Sequence, residues 1–170
     1  YPKHQIPPTF IAHRSLLVAQ DVPQPSDDVQ LYFASLASAA ERAATSAACS
    51  SILAGHTSES DEFADVSIWL GQGAYGKGHE LAVLKKLGLE PLVADGRVSP
   101  VELSIPRMIP VTIDAANLEL DAFAAKLAEL KDLHCFSLRP ASGSDVIYSL
   151  VGKNSSGWGG LLGIGIWSDD

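Results

Sequence analysis

The chain has 170 residues, 46% of them hydrophobic, enough to bury a good core within one domain. A formal net charge of −8, with Lys and Arg scattered along the chain, argues against nucleic-acid backbones and anionic membrane surfaces as partners. Every apolar run is broken by charge or glycine before it could span a bilayer; Cys49 and Cys135 form no CxxC and a chain of this length folds without a disulfide framework, so two buried thiols are expected, with pairing open if the protein is exported.

Taken in order, residues 1–9 contain Pro2, Pro7 and Pro8 and are predicted to run as an extended arm. The apolar stretches at 10–12 and 16–19 flank His13 and Arg14 and are expected to form one interrupted strand or two short ones. Prolines forbid a helix before Ser26, a good N-cap followed by Asp27 and Asp28 where the helix dipole favours anions. Val29, Phe33, Leu36, Ala40, Ala43 and Ala47 recur at steps of four and three, which predicts an amphipathic helix near 26–49. Its second half is almost all Ala and Ser, so close packing on a sheet or another helix is expected. Ser51 to Ala54 reads as a short strand, and the acidic stretch from His56 to Glu62 as a solvated connection.

Residues 64–97 hold the stretch whose order asks for a chemical explanation. Val66 to Leu70 has the pattern of a strand buried on both faces, and Gly71, Gly73, Gly76 and Gly78 follow at once. Leu81, Leu84 and Leu87 recur at helical spacing, Lys85 and Lys86 occupy the last turn, and Gly88 ends a helix near 78–87. Pro91 to Ala94 then reads as a second strand ending in Asp95. A glycine loop between strand and helix lets the backbone approach a ligand and points free amides at an anion, usually phosphate.

Gly71, Gly73 and Gly76 have the spacing of the dinucleotide fingerprint, and Asp95 stands 24 residues after Gly71. Over residues 64–97 the chain resembles the NAD-binding Rossmann unit. The resemblance implies a tight turn at Gly71, pyrophosphate against Gly73, helix packing at Gly76, and Asp95 on the adenosine ribose, with NAD as the implied cofactor. The stretch also resembles nucleoside deoxyribosyltransferase and TIR-type domains, which implies Glu80 as a nucleophile on a ribosyl carbon, with Asp65 or His79 nearby. For an enzyme that recognises a nucleotide or nucleoside, Glu80 and His79 are the candidates for acid, base or nucleophile work.

Further on, Met108 to Ile113 contains Pro110 and is expected to be an edge strand. Asn117 can cap a helix near 117–132, with Leu120, Phe123, Leu127 and Leu130 as its buried stripe and Lys126 and Lys131 on its late turns. His134 to Leu138 reads as a strand. Val146 to Val151 and Leu161 to Trp167 read as an antiparallel pair, joined by a connection that holds Trp158 and the sequon at Asn154. The glycines at 157, 159, 160, 163 and 165 predict that something large packs against the last strand, with Trp158 and Trp167 as candidates.

Neither HExxH, GxSxG nor GxxxxGK[ST] occurs, and the histidines and cysteines have no metal-ligand spacing, so no metal site is expected. The expected architecture is a single α/β domain over 1–170: a mixed sheet with a central parallel βαβ unit, covering helices and an antiparallel C-terminal pair. The expected function is recognition of a nucleotide or nucleoside through the glycine loop, with NAD-linked or ribosyl-processing chemistry as its enzymatic form. The other class open to this sequence is a non-catalytic acidic protein, an immunity, adaptor or assembly subunit, acting through a protein partner or a homo-oligomer. The compartment stays open between the cytoplasm and, since the chain starts at Tyr1 without Met, secretion.

Overall fold

The computed structural model describes residues 16–47, 49, 51–54, 64–104, 109–110, 118–141, 143 and 145–166. His13, Arg14, the acidic stretch 56–62, Asn117 and Trp167 lie outside them, as do the 1–9 arm and most of the expected strand at 108–113. The elements in chain order are β1 (Leu17–Val18), α1 (Asp27–Ser46), β2 (Val66–Gly71), α2 (Glu80–Lys86), α3 (Glu90–Val93), β3 (Arg97–Val101), β4 (Leu103–Ser104), β5 (Ile109–Pro110), α4 (Leu118–Leu127), β6 (Lys131–Arg139), β7 (Asp145–Asn154) and β8 (Gly157–Ile166).

Six strands form one sheet in the order β1-β2-β8-β7-β6-β3, and β4 pairs with β5 alone. β1 and β2 are parallel, and every other ladder is antiparallel. The mixed α/β architecture expected from the sequence is therefore present, with its parallel unit formed by β1, α1 and β2 at the sheet edge. That unit lies one element earlier than residues 64–97. Pro91 to Ala94 is not a strand: Glu90 to Val93 forms a single helical turn, because Pro91 sits in the first turn, where its fixed φ suits a helix and its missing amide costs nothing. Ser51 to Ala54 is a turn rather than a strand, since the Ser51 hydroxyl and the Ile52 amide both reach inward to the Asp65 carboxylate. The helix expected to 132 stops at Leu127, and Lys131 is already the first residue of β6.

Side-chain alternation along the strands feeds two cores. On one face Trp69, Tyr148, Leu150 and Leu161 pack under α1 and α4. On the other, Ile68, Leu70, Phe136, Ile147 and Leu162 pack under α2 with residues of α3 alongside. The Tyr32 hydroxyl donates to the Lys126 carbonyl at 2.6 Å and ties α1 to α4; burial, with the Glu129 charge, pushes that phenol well above its ordinary range. Cys135 is buried and Cys49 half-buried, and no disulfide joins them.

The glycines of β8 make room for α1, as the sequence predicts, but the occupants differ from those expected. A β-carbon at Gly159 would stand 2.6 Å from the Phe33 ring and 2.8 Å from the Ile68 carbonyl, and one at Gly163 would overlap the Asp65 carboxylate and Ser51. Phe33 and Trp69 fill the space together, their rings 5.7 Å apart. Trp158 instead lies in the opposite core, under the glycine loop. Gly159→Ala is expected to lower stability by about 1–3 kcal/mol through overpacking against a ring and a backbone carbonyl that cannot both withdraw. A urea midpoint equal to wild type would show that α1 can lift off β8 without loss.

Candidate functional site

β2 leaves the sheet at Gly71, where φ is +78°, a conformation glycine adopts without strain. The loop from Gln72 to His79 is then held by two side chains that rise from the sheet. The indole N–H of Trp158, at the start of β8, donates to the Gly73 carbonyl at 2.8 Å. His134, near the start of β6, places Nε2 2.9 Å from the Tyr75 carbonyl. A carbonyl only accepts, so this ring nitrogen carries the proton.

The same packing occupies the space over two of the loop's glycines, while Gly78 faces open space. A β-carbon at Gly73 would meet the Tyr75 ring at 2.7 Å, and one at Gly76 would meet Trp158 at 3.3 Å. The Gly78 amide donates to Oε2 of Glu80 at 3.1 Å, so the chain's own carboxylate takes the donor offered there. That same Oε2 lies 3.8 Å from His134 Nδ1. Burial raises the Glu80 carboxyl, but hydrogen bonds from the Gly78 and Glu80 amides and the charges of His134 and His79 outweigh it and set the group below its ordinary value. His79 is exposed and precedes α2 without a side-chain cap. Glu80 is thus paired with His134, not with His79. Both ring nitrogens of His134 are engaged, so the pair fastens the loop rather than standing open as a general base.

No motif in the sequence marks His134 as a member of this group. Its alternation with Phe136 and Leu138 shows only that it faces a covered side of the sheet. What could not be read is that β6 lies beneath a loop leaving β2, three strands away in the sheet.

Beside the loop lies an open cavity of about 440 Å3, lined by residues 21–25 of the β1–α1 connection, residues 69–72 of β2, Lys86 and Ser156. It stands at the carboxyl ends of the two parallel strands. Asp21 on its wall is one of two non-glycine residues with positive φ among those described, at 62°. α2 contributes Lys86, from its last turn, and nothing from its first. Of the fingerprint glycines, Gly71 borders this cavity, while Gly73, Gly76 and Gly78 do not.

Asp95 lies far from it. It is exposed in the turn before β3, the strand at the opposite edge of the sheet. Four strand spacings separate β2 from β3, about 19 Å. Arg97 pairs with Arg139 at the far end of β6, whereas Gly71 is level with Trp158, Lys153 and Lys131 at its near end. Gly71 and Asp95 therefore occupy diagonal corners and cannot share one bound dinucleotide. Asp65 is also apart from Glu80: it lies with Ser51 and Leu53 against Gly163 on the face covered by α1, whereas Glu80 pairs with His134 on the face covered by α2. Among the described residues no group of three His, Cys, Asp or Glu side chains is placed to hold a metal. Comparison with protein-family models, with curated proteins and with solved structures found no match.

Asp65 is fully buried. It accepts from the Ser51 hydroxyl and from the Ile52 amide, each at 2.6 Å, and these bonds with that of the Leu53 amide pull its carboxyl down. Burial is the larger effect and pushes it up to about 7. Its folded value then exceeds the unfolded one of about 3.9, so the group costs no stability below about pH 4, and the native state loses stability as pH rises from there through about 7. Relative to Asp65→Asn, wild type is expected to lose up to roughly 4 kcal/mol across that window and to stay level above it. Parallel stability curves for the two proteins between these pH values would remove this account.

Proposed function

We propose that this chain is a small-ligand-binding α/β protein, that its site is the cavity at the carboxyl ends of β1 and β2, and that nucleosides and mononucleotides are its ligand class. The observation that carries the reading is topological. β1 and β2 are parallel neighbours, yet the chain leaving β1 enters α1 on one face of the sheet and the chain leaving β2 enters α2 on the other. Connections that diverge in this way open a crevice between two parallel strand ends, the usual place for a ligand in an open α/β sheet. The cavity lies in that crevice, and its volume is in the range of small-molecule sites.

The lining supports the ligand class. Asp21 and Ser156 suit sugar hydroxyls, the amides of Gln24 and Gln72 suit the donor and acceptor edge of a base, and Val22 and Pro23 give an apolar wall. Among the described residues Lys86 is the only cation in the lining, and it matches one phosphate rather than a pyrophosphate. The separation of Asp95 from Gly71 speaks in the same direction, for a mononucleotide over NAD. Glu80 and His79 do not line the cavity, so binding rather than turnover is the activity proposed.

Calorimetric titration with nucleosides, their 5′-monophosphates and NAD tests this. A monophosphate is expected to bind, and Lys86→Ala to weaken it about tenfold, the scale of one charge-assisted hydrogen bond, while leaving the parent nucleoside unaffected. The proposal fails if none of these compounds gives heat, or if both Lys86→Ala and Asp21→Ala bind as wild type does.

A further inference from the structure

The loop beside the cavity is fastened at three points of unequal chemistry. Trp158 holds the Gly73 carbonyl through an indole N–H that has no titration in water. The other two fastenings, at the Tyr75 carbonyl and the Gly78 amide, converge on His134 and Glu80. We propose that Glu80 and His134 form a protonation-dependent clasp on the 74–79 segment, tight when the imidazole is charged and slack when it is neutral.

The geometry fixes the sign. Because Nε2–H is committed to the Tyr75 carbonyl, a neutral ring turns the bare lone pair of Nδ1 toward Oε2 of Glu80, 3.8 Å away. Lone pair and carboxylate repel. A charged ring presents N–H to the same oxygen, draws it in, and strengthens its own donation to Tyr75. Since Oε2 also accepts from Gly78, one proton tightens two attachments at once. The ring is 8% exposed and the Glu80 side chain 23%, so solvent screens the contact only partly. Glu80 is held below its ordinary value and stays ionised through the range in which imidazoles change charge.

Other charged groups around the clasp act at longer range. His79 acts on Glu80 from the start of α2. Lys77 stands in the loop, Lys131 and Asp132 at the start of β6, and Lys153 opposite Lys131 on β7. On β8 the facing side chain is Trp158, and on β6 Phe136 stacks on the imidazole with ring centres 5.7 Å apart. Of these groups only His79 shares the chemistry of His134, so it is the control to vary.

For ligand access the clasp rests on the cavity being a binding site, since Gly71 and Gln72 belong to both loop and wall. The clasp itself is measured without ligand. Hydrogen exchange of the 74–79 amides, expressed as protection factors to remove intrinsic pH effects, is compared at about pH 5.5 and about pH 8. Wild type is expected to lose protection roughly two- to fivefold at the higher pH, the range for a partly exposed ion pair. Glu80→Gln, which keeps an acceptor for Gly78, should show a markedly smaller change, limited to the Tyr75 attachment, and His79→Gln should retain the full one. The β7 and β8 amides serve as the internal reference for intact folding. Protection in wild type that ignores pH, or a change that persists undiminished in Glu80→Gln, overturns the clasp. If the clasp behaves as expected while no nucleoside or mononucleotide binds, the ligand assignment fails and the clasp stands.

Discussion

The close seating of α1 on β8 is the contact from which the rest of the molecule follows. Phe33 reaches a glycine on the strand and lies against Trp69 of β2, while the small residues Ala37, Ala40 and Ala44 keep the rest of the helix low over the sheet. A side chain at Gly159 would hold the helix away and separate the Phe33 and Trp69 rings, both buried, with centres 5.7 Å apart. Seated there, α1 must rise from β1 on one face and return to β2 from that same face, which makes the two strands parallel neighbours. α2 then has only the other face to cover. The crevice at their ends is a consequence of this packing and needs no special loop sequence.

The glycine loop illustrates how a local pattern can be used for a purpose other than the one it suggests. In a phosphate cradle, free amides and the first turn of a helix face an anion. Here donors from β6 and β8 claim the loop's carbonyls, and the Gly78 amide already meets a carboxylate. α2 is only seven residues long, so its dipole is short, and Glu80 stands at its positive end. Gly73 and Gly76 serve close packing against Tyr75 and Trp158, a requirement met by the same residue type that a phosphate cradle uses.

Much of the architecture was legible because it depends on periodicity. The stripe from Val29 to Ala47, the buried run at 66–70 and the alternation in the last two strands each fix which side of an element is covered. The failures have physical reasons too. Leu92 and Val93 have strand propensity, but a proline in a first helical turn outweighs a run that short. Ile52 and Leu53 are apolar enough for a strand, yet a buried carboxylate thirteen residues on turns their amides inward. The site was legible only at Gly71. Asp95 is matched to the fingerprint by counting residues, and a count carries a meaning only while the intervening chain is a βαβ unit; once Pro91 starts a helix, the acid is carried to the far edge. His134 could not be joined to Glu80 from sequence, because the order β2-β8-β7-β6 is set by hairpins formed later in the chain.

Charge at the crevice follows from which end of α2 reaches it. The last turn of a helix carries the negative end of the backbone dipole, roughly half an elementary charge before solvent screening, so the ammonium of Lys86 is partly offset by its own helix. Asp21 offsets it further from the opposite connection. The field inside the cavity is therefore weakly positive at most, in a chain whose net charge is −8. Such a field favours a ligand bearing little charge that is recognised mainly through hydrogen bonds, and it works against polyphosphates, whose extra charges would find no counterion on these walls.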